Sequence, residues 1–294
     1  MGIGTGFGRS RAGKPGAALA ALALSVGLSV GLPMGLGGGT AAAQTAPVPG
    51  SGEAAAFEQD IALTENLGRA IYERDTAAYL AAMALQDEFA GDELGWLHGW
   101  ITVKEGEELK VMFIGEQGGE PRAYFIAFAR NDEVYDHFAP PGGMGLSRAE
   151  RGYWAAREDA LDRDTQECSS QYNPVVMPYK GRDGAEGGLF VYLIPASTEA
   201  GLIKAGGYQL FDYSADGQTM KGEMPFNTNC LDVEKTGNEG DSLILSHSLT
   251  PYPQEHHVFM SLLYGTDVVV VTTENDLVWK VSGGEVSFVE KRMR

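Results

Sequence analysis

Apolar residues change their spacing along this chain, and each change predicts a different element. After Ala54, Phe57, Ile61, Leu67 and Ile71 recur every three to six positions, as on a helix with one buried stripe. Asp75 then reads as the N-cap of a second helix carrying Tyr79, Leu80 and Met83, so the two predict a helical hairpin. From Trp96 the period falls to two. Residues 96–103, 109–114, 122–129 and 133–138 read as strands, punctuated by Glu-Gly-Glu-Glu, Gly-Gly-Glu-Pro and Asn-Asp. Connections this short favour an antiparallel meander.

Pro140-Pro141-Gly142-Gly143 breaks that pattern, and Ser147 with Glu150 forms a capping box opening a helix to Arg163. Gly142-Gly143-Met144-Gly145 runs into this helix's N-terminus, where free N–H groups can hold an anion. It lacks the Lys and Ser/Thr of a phosphate loop and reads as a flexible connection. The second half is strand-rich: residues 174–177, 189–194, 208–213, 219–223 and 243–249, with Ala215-Asp216-Gly217 as a hairpin turn. A helix over 253–263 stops at Gly265, and strands at 268–273, 278–281 and 286–289 close the chain. The class is α+β: an N-terminal helical hairpin, antiparallel sheet or sheets with two further helices, and a C-terminal β-meander. The break at 139–146 either separates lobes 54–139 and 147–294 or is a long loop within one domain.

The first 43 residues differ in character. Arg9, Arg11 and Lys14 form a basic head, an uncharged run extends from Ala17 to Leu36, and Ala41-Ala42-Ala43 offers a signal peptidase its small residues. Residues 1–43 are expected to be a signal peptide cleaved near Ala43, and the Pro/Gly/Ser-rich residues 44–53 a disordered tether. A transmembrane anchor is the alternative, but Pro33 and six glycines between 27 and 39 make the run a poor permanent helix, and no later segment is long enough to span. The expected location is the periplasm or the exterior.

That address changes how charge and cysteines are read. The chain carries 40 acidic against 22 basic residues, a formal charge of −18, and the leader holds three of the basic residues and none of the acidic ones. Such a surface repels phosphate backbones and anionic lipid, so nucleic acid is not an expected partner. Of the two cysteines, Cys168 and Cys230, an oxidising compartment makes a disulfide and leaves two buried thiols as the alternative.

Chemistry concentrates in one place. Ser246, His247, Glu255, His256 and His257 include three of the five histidines, and a strand end opposite a helix start could bring them together. The run resembles the JAMM/MPN metallopeptidase pattern, but Leu249 and Tyr264 stand where that family places a second His and an Asp. On a helix, adjacent His256 and His257 diverge by about 100°, which argues against a shared ion. Ser246 and His247 point to opposite faces of a strand, which argues against a dyad. Capping, solvation or packing is the expected role of the cluster, and no catalytic residue, metal ligand or cofactor is assigned. Trp96, Trp100, Tyr124, Phe125, Phe128 and Tyr135 are expected to form a core face under the helical hairpin.

Ala70-Ile71-Tyr72-Glu73-Arg74-Asp75, Cys168 with Tyr172-Asn173-Pro174-Val175-Val176, Cys230-Leu231, and Ser246-His247 followed by Pro253-Gln254-Glu255-His256-His257 together resemble an uncharacterised family of secreted proteins from Gram-negative bacteria. The resemblance spans roughly residues 57–290. It implies export, supports pairing of Cys168 with Cys230, and brings no activity with it. The expected function is an acidic, exported binding or interaction module with a protein or small-ligand partner and no membrane span once the signal is removed. The alternative is an exported hydrolase, metal-dependent in one form, centred on His247, Glu255, His256 and His257.

Overall fold

Alanine, rather than leucine, lines the longest helix of this protein. The computed structural model describes residues 48–92, 94–163, 168–181, 187–197, 199, 201–226, 229–235 and 242–293. In it α1 (Ser51–Ala55) leads into α2 (Glu58–Glu88). Where the sequence suggested two helices meeting at Asp75, the chain runs straight through as one. No proline interrupts α2, and its buried positions recur without a break at Thr64, Gly68, Ile71, Arg74, Ala77, Ala78, Ala81 and Leu85. Asp75 does not cap. Its carboxyl accepts a bond from Asn173 Nδ2 at 3.2 Å. Ser51 to Glu53, placed in the tether by sequence, instead open α1, and Glu53 pairs with Lys291 at 2.6 Å. The leader 1–43 lies outside the described residues.

β1 (Gly99–Glu105), β2 (Glu108–Gln117), β3 (Glu120–Arg130) and β4 (Glu133–Phe138) form the expected antiparallel meander, and β5 (Met144–Gly145) adds to β3. The glycine connection is tied down, because the Arg122 guanidinium donates to the carbonyls of Gly142 (3.0 Å) and Gly143 (2.5 Å). α3 (Arg148–Leu161) starts with the Ser147–Glu150 capping box. Next come β6 (Tyr172–Tyr179), β7 (Gly188–Pro195), β8 (Leu202–Lys204), β9 (Gln209–Ser214), β10 (Met220–Pro225) and β11 (Asp232–Glu234). Four of these build an antiparallel sheet in the order β10-β9-β7-β6, while β8 pairs with β11. The chain ends with β12 (Leu243–His247), α4 (Glu255–Tyr264), β13 (Val268–Thr272), β14 (Leu277–Ser282) and β15 (Glu285–Lys291). The last three strands form the C-terminal meander, and β12 lies parallel to β13. Cys168 and Cys230 are joined by a disulfide. Among the described residues, no helix is long and apolar enough to cross a membrane.

Residues 49–294 make one unit because α2 and the second sheet each contribute to two of its hydrophobic cores. The second half of α2 covers one face of the first sheet, where Ala77, Ala81 and Leu85 meet Val111, Phe113 and Phe125. The opposite face, through Met112 and Ile126, packs on α3 and on Val191 and Phe211 of the second sheet. The far side of that second sheet meets α4, the C-terminal sheet and Ile71 of α2. The expected aromatic core face under the helices is met only in part: Phe125 is buried beneath α2 with Trp96 and Trp100 half-buried beside it, whereas Phe128 packs on the opposite side of the sheet and Tyr124 is half-buried. Trp96 precedes β1 and packs on Phe89 and Tyr124, and Tyr135 is exposed.

α2 and α4 touch at Gly68, where a Cβ would lie 2.5 Å from Val258 Cβ and 2.7 Å from the Glu255 carbonyl oxygen. Alanine normally favours a helix interior by about 1 kcal/mol over glycine. Overpacking here opposes it by up to about 3 kcal/mol and wins. Gly68→Ala is therefore expected to destabilise by about 2 kcal/mol in a urea titration; an unchanged or raised midpoint would show that the helices do not approach this closely.

Candidate functional site

Parallel strands require a crossover, and α4 supplies it between β12 and β13. The carboxyl end of β12 therefore faces the amino end of α4, the position where parallel units gather functional side chains. Alternation along β12 buries Leu243, Leu245 and His247 and exposes Ile244 and Ser246. Ser246 points away from the site and forms no dyad with His247.

The turn after His247 is held from three sides. Thr64 Oγ1 of α2 donates to the Pro253 carbonyl (3.2 Å), Asn275 Nδ2 donates to the Pro251 carbonyl (2.9 Å), and the Thr273 N–H donates to the His247 carbonyl (2.8 Å). At the start of α4, the Gln254 N–H donates to His257 Nδ1 at 3.1 Å, folding that ring back over the helix start.

This fold-back brings together what sequence reasoning kept apart. Ring centroids are 3.8 Å apart for His256–His257, 5.0 Å for His247–His257 and 6.0 Å for His247–His256. One ligand nitrogen from each lies within 4.8 Å of the others. The 100° divergence describes Cβ directions only; a ring turned toward the N-terminus cancels much of it. Glu255 does not join them. Its carboxylate accepts from the Tyr192 hydroxyl at 3.0 Å, and burial raises its pKa.

The three rings are 4, 2 and 2 % exposed, which closes them to bulk solvent. Burial disfavours the imidazolium, so His247 is lowered to about 4 and His256 and His257 well below the ordinary range, with the neighbouring imidazoles adding to the effect. All three are neutral near pH 7. Hydrogen bonds then fix two protons. Thr250 Oγ1 donates to the Tyr252 carbonyl (2.5 Å), so it can only accept from His247 Nε2 (2.8 Å), leaving His247 Nδ1 as a bare lone pair. His257 accepts at Nδ1, so its proton is on Nε2. The His256 ring lies between Tyr208 (5.4 Å) and Phe226 (5.1 Å).

Sequence reasoning missed Thr250, Gln254, Tyr208 and Phe226. Gln254 sits at capping-box distance from His257, a local signal available in the chain. Tyr208 and Phe226 flank β9 and β10 of a different sheet and carry no such signal.

A second feature is open to solvent. A groove of about 350 Å³ lies against α2, lined by Arg69, Lys104 and Arg130 and by Glu73, Glu107 and Asp132, with Ala77, Leu109, Ala129 and Leu262 among its apolar walls. Asn131 and Asp132 form its tight turn at φ 52° and 57°, a backbone that Asn and Asp tolerate better than most residues. The chain matches no family model, no curated protein and no solved structure, so its function has to be read from these residues.

Proposed function

We propose that this is an exported protein that binds a ligand rather than transforming one. The burial of His247, His256 and His257 carries the reading. A hydrolase needs its acid, base or metal at a surface that substrate can reach, and these imidazoles are buried between the end of β12 and the start of α4. The solvent-facing groove is the better recognition surface. Two of its cations sit in largely solvated ion pairs, Lys104 with Glu73 at 3.0 Å and Arg130 with the half-buried Glu108 at 3.6 Å. Such pairs contribute at most about 1 kcal/mol each, so they exchange readily for charges on a ligand. Cations and carboxylates beside an aliphatic wall complement a peptide segment bearing both signs.

Fluorescence anisotropy with short labelled peptides of mixed Lys and Glu tests this. Saturable binding is expected, weakened at least about tenfold by Lys104→Ala with Arg130→Ala and by raised salt. Absence of binding would remove the groove from consideration. Zinc-supported turnover of ester or peptide substrates, lost in His247→Gln, would overturn the binding reading itself.

A further inference from the structure

We propose that His247, His256 and His257 form a closed binding site for one late first-row divalent metal ion of the zinc type, held in the core as a clamp between β12 and α4. The proposal does not depend on the groove. Three observations lead to it.

The first is convergence. A tetrahedral zinc holds imidazole nitrogens at about 2.0–2.1 Å, which sets them roughly 3.3 Å apart. The three ligand nitrogens lie within 4.8 Å of one another, so rotations moving each by about 1 Å bring all three to bonding distance of one ion and leave the fourth tetrahedral position to a water.

The second is the hydrogen bonding of His247. Metal-bound histidines fix their orientation by donating the other ring N–H to a fixed acceptor. His247 already does this, Nε2–H to Thr250 and Thr250 to the Tyr252 carbonyl, and its Nδ1 lone pair is left for an ion. His257 enters by a tautomer shift. Its proton moves from Nε2 to Nδ1, and the bond from the Gln254 N–H is given up.

The third is the donor set. Neutral imidazoles without thiolate suit zinc, copper, nickel or cobalt rather than calcium or magnesium, which require oxygen. Glu255, next to His256 in the first turn of α4, supplies a carboxylate that can offset the ion's charge.

Zinc binding to the purified, untagged protein, stripped with chelator and titrated against a chromophoric competitor, tests the site. One zinc per chain is expected, with affinity reduced at least about a hundredfold in His256→Phe, a change that keeps an aromatic ring between Tyr208 and Phe226. His247→Gln provides a second variant, and circular dichroism of the stripped proteins establishes that each is folded. Cobalt substitution should give the intense visible bands of a tetrahedral site. No zinc retained at micromolar free metal by the folded protein would overturn the proposal. So would stoichiometric zinc that both folded variants keep, since the ion would then sit on surface carboxylates.

Discussion

Removing the Cys168–Cys230 bridge, as Cys168→Ala with Cys230→Ala, is expected to lower stability by about 4 kcal/mol. The two cysteines are 62 positions apart, and opening a loop of that length frees chain entropy in the unfolded state worth about this much. Total stabilities are only about 5–15 kcal/mol, so one covalent link carries a large share. The link matters for local reasons as well. It joins the entry to β6 with the segment before β11, where β8 and β11 pair over three residues only. Lys204 reinforces the same place, reaching Asp232 at 2.8 Å and the Cys168 carbonyl at 3.4 Å. Urea unfolding of the double variant should show the lowered midpoint together with a larger denaturant slope, because the unlinked chain expands further. A loss under about 1 kcal/mol would mean that Lys204 and the backbone bonds already hold this region.

The opposite effect is expected at Asp75. Asp75→Asn should stabilise the protein at pH 7.5 by up to about 3 kcal/mol and change little at pH 3.5. Asp75 lies inside α2 with a bond from Asn173, and burial pushes its carboxyl up to about 6, the bond acting weakly the other way. In the unfolded chain the same group loses its proton near 3.8. Between these values the folded state holds a proton that the unfolded state has released, so stability falls as pH rises from 3.8 to 6 and stays reduced above. The difference of about two pH units corresponds to about 3 kcal/mol. Asparagine keeps the acceptor oxygen for Asn173 and has no charge to bury. Thermal unfolding of both proteins across pH 3.5–8 reads the effect as a gap in midpoint that opens with rising pH. A gap independent of pH would show that the carboxyl is solvated.

Features set by local rules were legible in the sequence. The first meander, the Ser147 capping box, the Gly265 helix stop and the C-terminal strands all follow from periodicity or turn chemistry within about ten residues. The continuity of α2 is hard to read because six of its eight buried positions are Ala, Gly, Thr or Arg, which carry little hydrophobic signal, and only Ile71 and Leu85 are strongly apolar. The parallel pairing of β12 with β13 depends on a contact across α4 that neither strand announces. The histidine site was half visible. Its residues stand out in the sequence, but their convergence depends on the Gln254 N–H turning one ring back, and the packing of His256 depends on Tyr208 and Phe226, which flank strands of another sheet.

Sealed, neutral imidazoles at 247, 256 and 257 underlie both the binding reading and the metal clamp. Long-range ¹⁵N–¹H correlation of the imidazoles in chelator-stripped protein at pH 5.5 observes them directly. An ordinary histidine, with a pKa of about 6.5, is mostly protonated there. Three neutral rings are predicted, His247 with its proton on Nε2 and His257 bare at Nδ1. Protonated rings at 247, 256 and 257 at that pH would place the cluster in contact with water and return it to the reach of a substrate.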